Sequence, residues 1–213
     1  MCSIDFIEIG SKGYSFWLPK QILNSKKIKV VYSFGVGENV SFDEELLKRN
    51  RDLKIWAFDP TPKAIAYIEK HPIFYNDRFV FSPFGLSKLD GEELFFLPKN
   101  EEYVSGSVVK YWGVNGGNSI YVPMRRLSTI MGEQGHTKID ILKMDIEGSE
   151  FEVIPDFLKS GVKPKVICVE LHERFFSNQV DLKENLIKLI CNNDYECFGF
   201  GEEYLFLLNG VQW

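Results

Sequence analysis

The sequence predicts an α/β fold in which a mostly parallel sheet is covered on both faces by helices and closes in an antiparallel C-terminal hairpin. Three observations carry this. Short apolar runs rich in β-branched and aromatic residues recur at Ile28–Phe34, Leu53–Phe58, Phe79–Phe84, Ile139–Met144 and Lys165–Leu171, each of strand length and none long enough for a buried helix. Helical patterns fill the gaps, at Ser41–Asn50, Pro62–His71, Arg126–Glu133, Ser149–Ser160 and Asp181–Asn193, and such alternation builds parallel sheets from strand–helix–strand units. Finally, Tyr195–Phe200 and Tyr204–Leu208 are separated only by a turn around Gly201-Glu202-Glu203, which is too short for a crossover and therefore makes the last pair antiparallel.

In chain order, residues 1–27 read as an N-terminal extension carrying Asp5 and Glu8. The run IKVVYSF then makes the first core strand, and Ser41 stands where a cap would open the next helix. Residues 92–123 depart from the alternation: strand-like ELFFL and SIYVP flank SGSVVKYWGVNGGNS, which reads as an inserted loop and hairpin over the site, its glycines permitting unusual backbone angles. Ser149 is a second plausible cap and Gly161 a helix stop. Neither a repeat nor a low-complexity linker divides the chain, so residues 1–213 are expected to form a single domain.

Composition narrows the function. With 213 residues, 45% of them apolar, the chain can bury one sizeable core. Asp5 and Glu8 interrupt the N-terminus where a signal peptide needs a basic start and an apolar stretch, and no apolar run is long enough to span a bilayer. A cytoplasmic protein without membrane insertion is expected. The four cysteines show no C-x-x-C pair and no histidine at metal-ligand spacing, which argues against a zinc site or a disulfide framework. A formal charge of −5 with scattered Lys and Arg offers a polyanion little, so nucleic acid is not the expected partner. Oligomeric state leaves no mark on the sequence.

The richest segment chemically is IDILKMDIEGSE, Ile139–Glu150. An apolar strand ends in Asp145, Ile146, Glu147 and Gly148 before a helix starts, and the crevice outside the carboxyl ends of parallel strands is where ligands bind. Glu147 and Glu150 have an alternative use in capping that helix; Asp145 is the stronger site candidate. Past the first core strand, Phe34-Gly35-Val36-Gly37-Glu38-Asn39 precedes a helix, and two glycines there allow a tight turn and close approach to a ligand. A dinucleotide fingerprint would place a third glycine near Val40, where none stands. The second strand ends in Asp59-Pro60, about 20 residues beyond the glycines, where an acid usually holds ribose hydroxyls; a strand-end turn is the plainer use for Asp59.

Taken together, YSFGVGENVSFDEEL, WAFDPTP, ILKMDIEGSEFEVI and VICVELH resemble the FkbM family of S-adenosylmethionine-dependent methyltransferases over essentially Val30–Leu208. The resemblance implies the class I methyltransferase fold, a Rossmann-like seven-stranded sheet of order 3-2-1-4-5-7-6 with an antiparallel last strand. It also implies S-adenosyl-L-methionine as methyl donor, S-adenosyl-L-homocysteine as product, and O-methylation of a sugar or natural-product hydroxyl. By position it assigns Gly35, Gly37 and Glu38 to the loop beneath the methionine part, Asp59 to the ribose and Asp145 to the cofactor's amino group and the transfer centre, with Phe34, Asn39, Pro60, Ile146 and Glu147 counted among the cofactor-binding residues. Gly85, Leu86 and Ser87, after the third strand, fall where the adenine ring is bounded.

Methyl transfer to oxygen is an in-line displacement aided by positioning, and a hydroxyl acceptor needs a base within hydrogen-bond reach. His172 has the suitable intrinsic pKa, and strand alternation puts Glu170 on its face. His172 is therefore the expected base, with Asp145 and Glu170 next. No resident metal is assigned; a second reading has Asp145, Glu147, Glu170 and His172 holding Mg²⁺ to acidify the acceptor. Tyr103, Ser105, Ser107, Tyr111, Trp112 and Asn115 of the insert are candidate acceptor contacts, since aromatic faces beside hydroxyls suit a glycan or a flat small molecule. The competing functions are a nicotinamide-dependent oxidoreductase or sugar-nucleotide enzyme, which the glycine pattern disfavours, and a catalytically silent cofactor-binding module.

Overall fold

The computed structural model describes residues 4–100, 106–177 and 179–212, except for the side chains of Asn115, Gly116 and Gln179. The chain runs β1 (Phe6–Ile9), β2 (Phe16–Pro19), α1 (Lys20–Leu23), β3 (Val30–Phe34), α2 (Ser41–Arg49), β4 (Lys54–Phe58), α3 (Pro62–Ile68), β5 (Phe79–Ser82), β6 (Gly85–Leu86), β7 (Gly91–Pro98), β8 (Val114–Arg125), α4 (Leu127–Glu133), β9 (Ile141–Met144), α5 (Glu150–Lys159), β10 (Val166–Glu170), α6 (Gln179–Cys191), β11 (Tyr195–Phe200) and β12 (Glu203–Leu208).

Seven strands form the central sheet in the order β11-β12-β10-β9-β3-β4-β5. All neighbours pair in parallel except β12, which is antiparallel to both β10 and β11. Read from the other edge, this is the class I methyltransferase order. Alternation along the strands splits the core into two layers. Tyr32, Phe34, Leu142, Met144, Ile167 and Val169 face α4, α5 and α6, whereas Val31, Ile55, Ile141 and Cys168 face α1, α2 and the N-terminal hairpin.

That hairpin is the main departure from the expected layering. Residues 6–19 pair as β1 and β2 and cover part of one sheet face where a helix was expected. Phe6 packs against Phe198 and Phe200, and Trp17 stacks on Phe200 at 5.1 Å. The hairpin joins the body through long-range aromatic contacts, which local periodicity does not reveal.

The insert supplies β7 and β8, which join β6 in a three-stranded sheet of order β6-β8-β7. Strand β8 starts at Val114, opposite Pro98, with an irregularity between Phe96 and Pro98, so part of the stretch read as loop is strand. Helix ends also refine the expectation. Ser41 does not cap α2: its own N–H donates to Asn39 Oδ1 at 3.0 Å. Ser149 occupies the N-cap position of α5 without a side-chain cap bond. Gly161, at φ +83°, stops α5 as expected. Among the described residues no helix is long and apolar enough to cross a membrane.

Candidate active site

The order of the sheet reverses between β3 and β9, and their carboxyl ends open the crevice there. Gly35 N–H donates to Phe58 O at 3.0 Å and Asp145 N–H to Phe34 O at 3.2 Å, so the ends of β3, β4 and β9 are tied side by side. A cavity of about 280 Å³ lies above them, near the lower end of the range for small-molecule sites. Phe34, Gly35, Gly37, Glu38, Asn39, Asp59, Pro60, Gly85, Leu86, Asp145, Ile146 and Glu147 all line it. Ser87 does not: its hydroxyl is bound to Glu93, which turns it out of the wall.

Each acid here has a definite local job. Asp59 is almost fully buried; its Oδ2 accepts from Gly37 N–H at 2.9 Å, while Oδ1 accepts from the amide and hydroxyl of Thr61 at 2.9 and 2.6 Å. It clamps the glycine loop to the end of β4. Burial raises its pKa, against the lowering effect of those donors and of Lys143. Asp145 follows β9 directly, and Glu147 takes a left-handed φ of +53° in the next turn, a backbone state that non-glycine residues seldom hold without over-determining contacts.

Glu150 supplies those contacts. Completely buried, it accepts from Ile146 N–H through Oε1 at 3.0 Å and from Gly148 N–H through Oε2 at 2.9 Å. The expectation that Glu150 serves the start of α5 therefore holds only in part, because the same Oε1 also meets His172 Nδ1 at 3.0 Å. His172 in turn points Nε2 at three more carboxylates: Glu170 Oε1 at 3.4 Å, Glu147 Oε2 at 3.6 Å and Asp145 Oδ1 at 3.7 Å. Burial opposes the imidazolium, yet the surrounding acids, Glu150 first, raise the pKa to about 10. Glu170 is raised to about 7, by burial and then by Asp145. The three sequence-nominated catalytic groups thus meet at one point, but with His172 positively charged at neutral pH and Glu170 titrating near neutrality.

The insert closes one wall through Phe95, Gly106 and Met124. Ser107, proposed as an acceptor contact, is fully buried and committed: its hydroxyl donates to Glu147 O and accepts from Val109 N–H. It fixes the insert to the Glu147 turn and has no surface to offer a substrate. Tyr111 stacks on Phe175 at 3.6 Å with ring planes 6° apart, and Phe175 lies beside His172. Trp112 is largely exposed. Tyr103 and Ser105 lie outside the described residues, as does the side chain of Asn115.

Sequence reasoning missed two charged residues in the cavity wall. Lys143, in the middle of β9, is buried among Phe16, Asp43 and Ser33 and donates to Phe34 O at 3.1 Å and Gly35 O at 2.7 Å. Asp43 of α2 is 2% exposed, and its Oδ1 has no hydrogen-bond partner among the described residues; burial raises its pKa to about 6. Both line the cavity. A lysine inside an otherwise apolar strand was the available signal. For Tyr14 and Phe16, which reach the same wall from the N-terminal hairpin, no local signal exists.

Comparison with known proteins agrees with this geometry. No curated protein sequence matches the chain significantly. A putative caffeoyl-CoA O-methyltransferase from Staphylococcus aureus shares the fold at a TM-score of 0.51 and 9% identity, covering 90% of this chain and 80% of that one. Similar structures also include a precorrin-6y C5,15-methyltransferase from Geobacter metallireducens GS-15 (TM-score 0.45, 12% identity, 88% and 82% covered) and the Methanococcus jannaschii fibrillarin pre-rRNA processing protein (TM-score 0.47, 7% identity, 99% and 84% covered). The family model described as "Methyltransferase FkbM domain" matches residues 19–197. With the glycine loop, Asp59 and the Asp145 turn all inside that span and around one cavity, the chain belongs to the FkbM family of S-adenosylmethionine-dependent methyltransferases.

Proposed function

We propose that this protein methylates a hydroxyl group of a sugar, glycan or natural product. The observation that carries the reading is the junction of two environments: a cavity whose wall suits a nucleoside sulfonium, and beside it a carboxylate poised to take a proton near neutral pH.

The cofactor fits the residues present. Asp43 Oδ1 is a buried carboxylate oxygen without a partner at the cavity wall, and Lys143 offers a cation nearby; together they suit the ammonium and carboxylate of the methionine part. Asp59 Oδ2, with one donor from Gly37, retains a lone pair for a ribose hydroxyl. Pro60, Gly85 and Leu86 provide the apolar slot for the base. When bound, the cofactor supplies an electrophilic methyl group that leaves a neutral thioether behind.

The chain's own residues do the rest. Nucleophilic attack forms a C–O bond as the C–S bond breaks, so the hydroxyl proton must pass to a base. Glu170, with its pKa near 7, takes that proton in our reading. His172, expected from sequence as the base, already carries its proton in the ligand-free site, and its charge holds Glu170, Glu147 and Asp145 in one cluster. The Tyr111–Phe175 stack offers the acceptor an aromatic wall. Incubating the protein with methyl-labelled cofactor and a panel of sugars, glycan fragments and phenolic or polyketide scaffolds tests this: label is expected in an ether methyl. Label appearing only on nitrogen or carbon acceptors sinks the reading.

A further inference from the structure

We infer that Asp145, Glu147 and His172 form a binding site for a divalent transition-metal cation, of the Mn²⁺ kind, at the acceptor side of the cavity. The donor atoms of these three groups lie within 4.8 Å of one another. Bonds of about 2.1 Å place neighbouring ligand atoms roughly 3 Å apart in an octahedral shell, so the side chains need contract only modestly around an ion.

The cluster is more than a patch of acid. Its centre is the Nε2 atom of His172, a side chain 1% exposed. Nε2 is ringed by oxygens of three different carboxylates that stand 3.4 to 3.7 Å away. The other ring nitrogen is fixed by Glu150 Oε1 at 3.0 Å. A histidine whose Nδ1 is held by a buried carboxylate while Nε2 faces further carboxylates is the arrangement that orients an imidazole as a metal ligand; the ion takes the place of the proton His172 carries in the metal-free site, which is released to solvent on binding. Glu150 also shapes the turn that carries Glu147, through Ile146 N–H and Gly148 N–H, so one residue positions two ligands.

Chemistry selects the ion. Two carboxylates and one imidazole are harder than a zinc-thiolate set and softer than the oxygen cages of Ca²⁺ or Mg²⁺, which favours Mn²⁺ or Fe²⁺. Three ligands on one side leave positions for water and for an acceptor oxygen, and a hydroxyl bound there becomes more acidic. This role in catalysis rests on the O-methyltransferase reading; the existence of the site does not.

The experiment is titration of chelator-treated protein with MnCl₂ by calorimetry, in parallel with S-adenosylhomocysteine binding to the same metal-free sample. Saturable 1:1 binding is expected, weakened at least tenfold in Asp145→Asn and Glu147→Gln, and tenfold or more in Glu150→Gln. Wild-type protein supplies an independent readout. Of the three histidines, only His172 should lose its ring resonances to paramagnetic broadening at substoichiometric Mn²⁺. Absence of Mn²⁺ binding at millimolar concentration, binding indifferent to the ligand variants, or broadening of His71 or His136 instead overturns the site. Persisting S-adenosylhomocysteine binding would in that case leave the methyltransferase reading standing, with His172 only a structural counter-charge.

Discussion

His172 Nδ1 lies 3.0 Å from Glu150 Oε1, and both side chains are almost completely withdrawn from solvent. The pair joins the start of α5 to the end of β10, and the other three carboxylates of the site are arranged around it. Replacing Glu150 by Gln keeps the shape but removes the charge. Breaking one side of a buried ion pair costs about 3 kcal/mol or more when a charge is stranded; here His172 can shed its proton, so a smaller loss of about 1–3 kcal/mol is expected. Urea unfolding measures the loss, and NMR titration of His172 should show its pKa falling. An unchanged pKa would mean that Glu150 is not its main partner.

Stability should depend on pH through the same histidine. Its pKa rises from 6.5 in the unfolded chain to about 10 in the native one. Below pH 6.5 both states are protonated and the contribution is fully present. Between 6.5 and 10 the unfolded chain releases its proton first, so the native state binds more protons and stability falls with rising pH. Glu170 and Asp43, also raised, lose their contributions at lower pH, through about 7 and about 6 respectively. The difference between wild type and the double variant His172→Gln/Glu170→Gln, compared with that for Glu170→Gln alone, isolates the histidine: in chelator, it should shrink steadily from pH 6.5 to 10. A difference that stays flat over that range contradicts the assignment.

Gly35 makes the tightest demand on the backbone. At φ +71°, a Cβ there would stand 1.7 Å from Asp145 O, so Gly35→Ala must push β3 and β9 apart at the crevice. Gly161 has a similar φ of +83° with nothing within 4 Å of the added atom. Both substitutions incur the left-handed penalty of about 1 kcal/mol. Only Gly35→Ala should also abolish S-adenosylhomocysteine binding, as read by calorimetry on the folded variants. Equal effects on binding would show that the strand ends do not need this contact.

Asp59 separates two uses of one carboxylate. Asp59→Asn keeps an oxygen for Thr61 but cannot accept from both Gly37 N–H and a ribose hydroxyl as the carboxylate does. A loss of tenfold or more in S-adenosylhomocysteine affinity is expected, about 1.4 kcal/mol, with far less loss for adenine-free fragments such as methionine. Equal losses for both ligands would place Asp59's role in shaping the loop alone.

The sheet and most of the cavity were legible because both depend on local pattern. Alternating apolar runs specify strands wherever one face is buried, and a strand followed directly by Gly35 or Asp59 puts that residue at a carboxyl edge whatever the remaining packing. Contacts between distant segments left no such mark. The N-terminal hairpin, Lys143 beneath the glycine loop, and Ser107 bound to the Glu147 turn each depend on a neighbour far away in sequence. The charge state of His172 was hidden for the same reason: its isolated pKa suits a base, but three acids, Glu150 of α5 and Asp145 and Glu147 of the turn after β9, change it.

That change carries the sharpest kinetic consequence. If Glu170 accepts the proton, kcat/KM measured in the metal-free enzyme should rise with pH through an apparent pKa near 7, the value that burial and Asp145 impose on it there. The limb belongs to the free enzyme, where Glu170 must be ionised before the hydroxyl arrives. Glu170→Gln should remove the limb and lower kcat by about 10²–10⁴-fold, while S-adenosylhomocysteine affinity stays within twofold because Glu170 lies outside the cofactor cavity. His172→Gln should instead shift the limb upward, since the imidazolium lowers the Glu170 pKa and its removal leaves only the Arg174 guanidinium, 3.3 Å from Glu170 Oε1, to oppose burial, Asp145 and Glu147. A limb that vanishes in His172→Gln and persists in Glu170→Gln would return the base to the histidine.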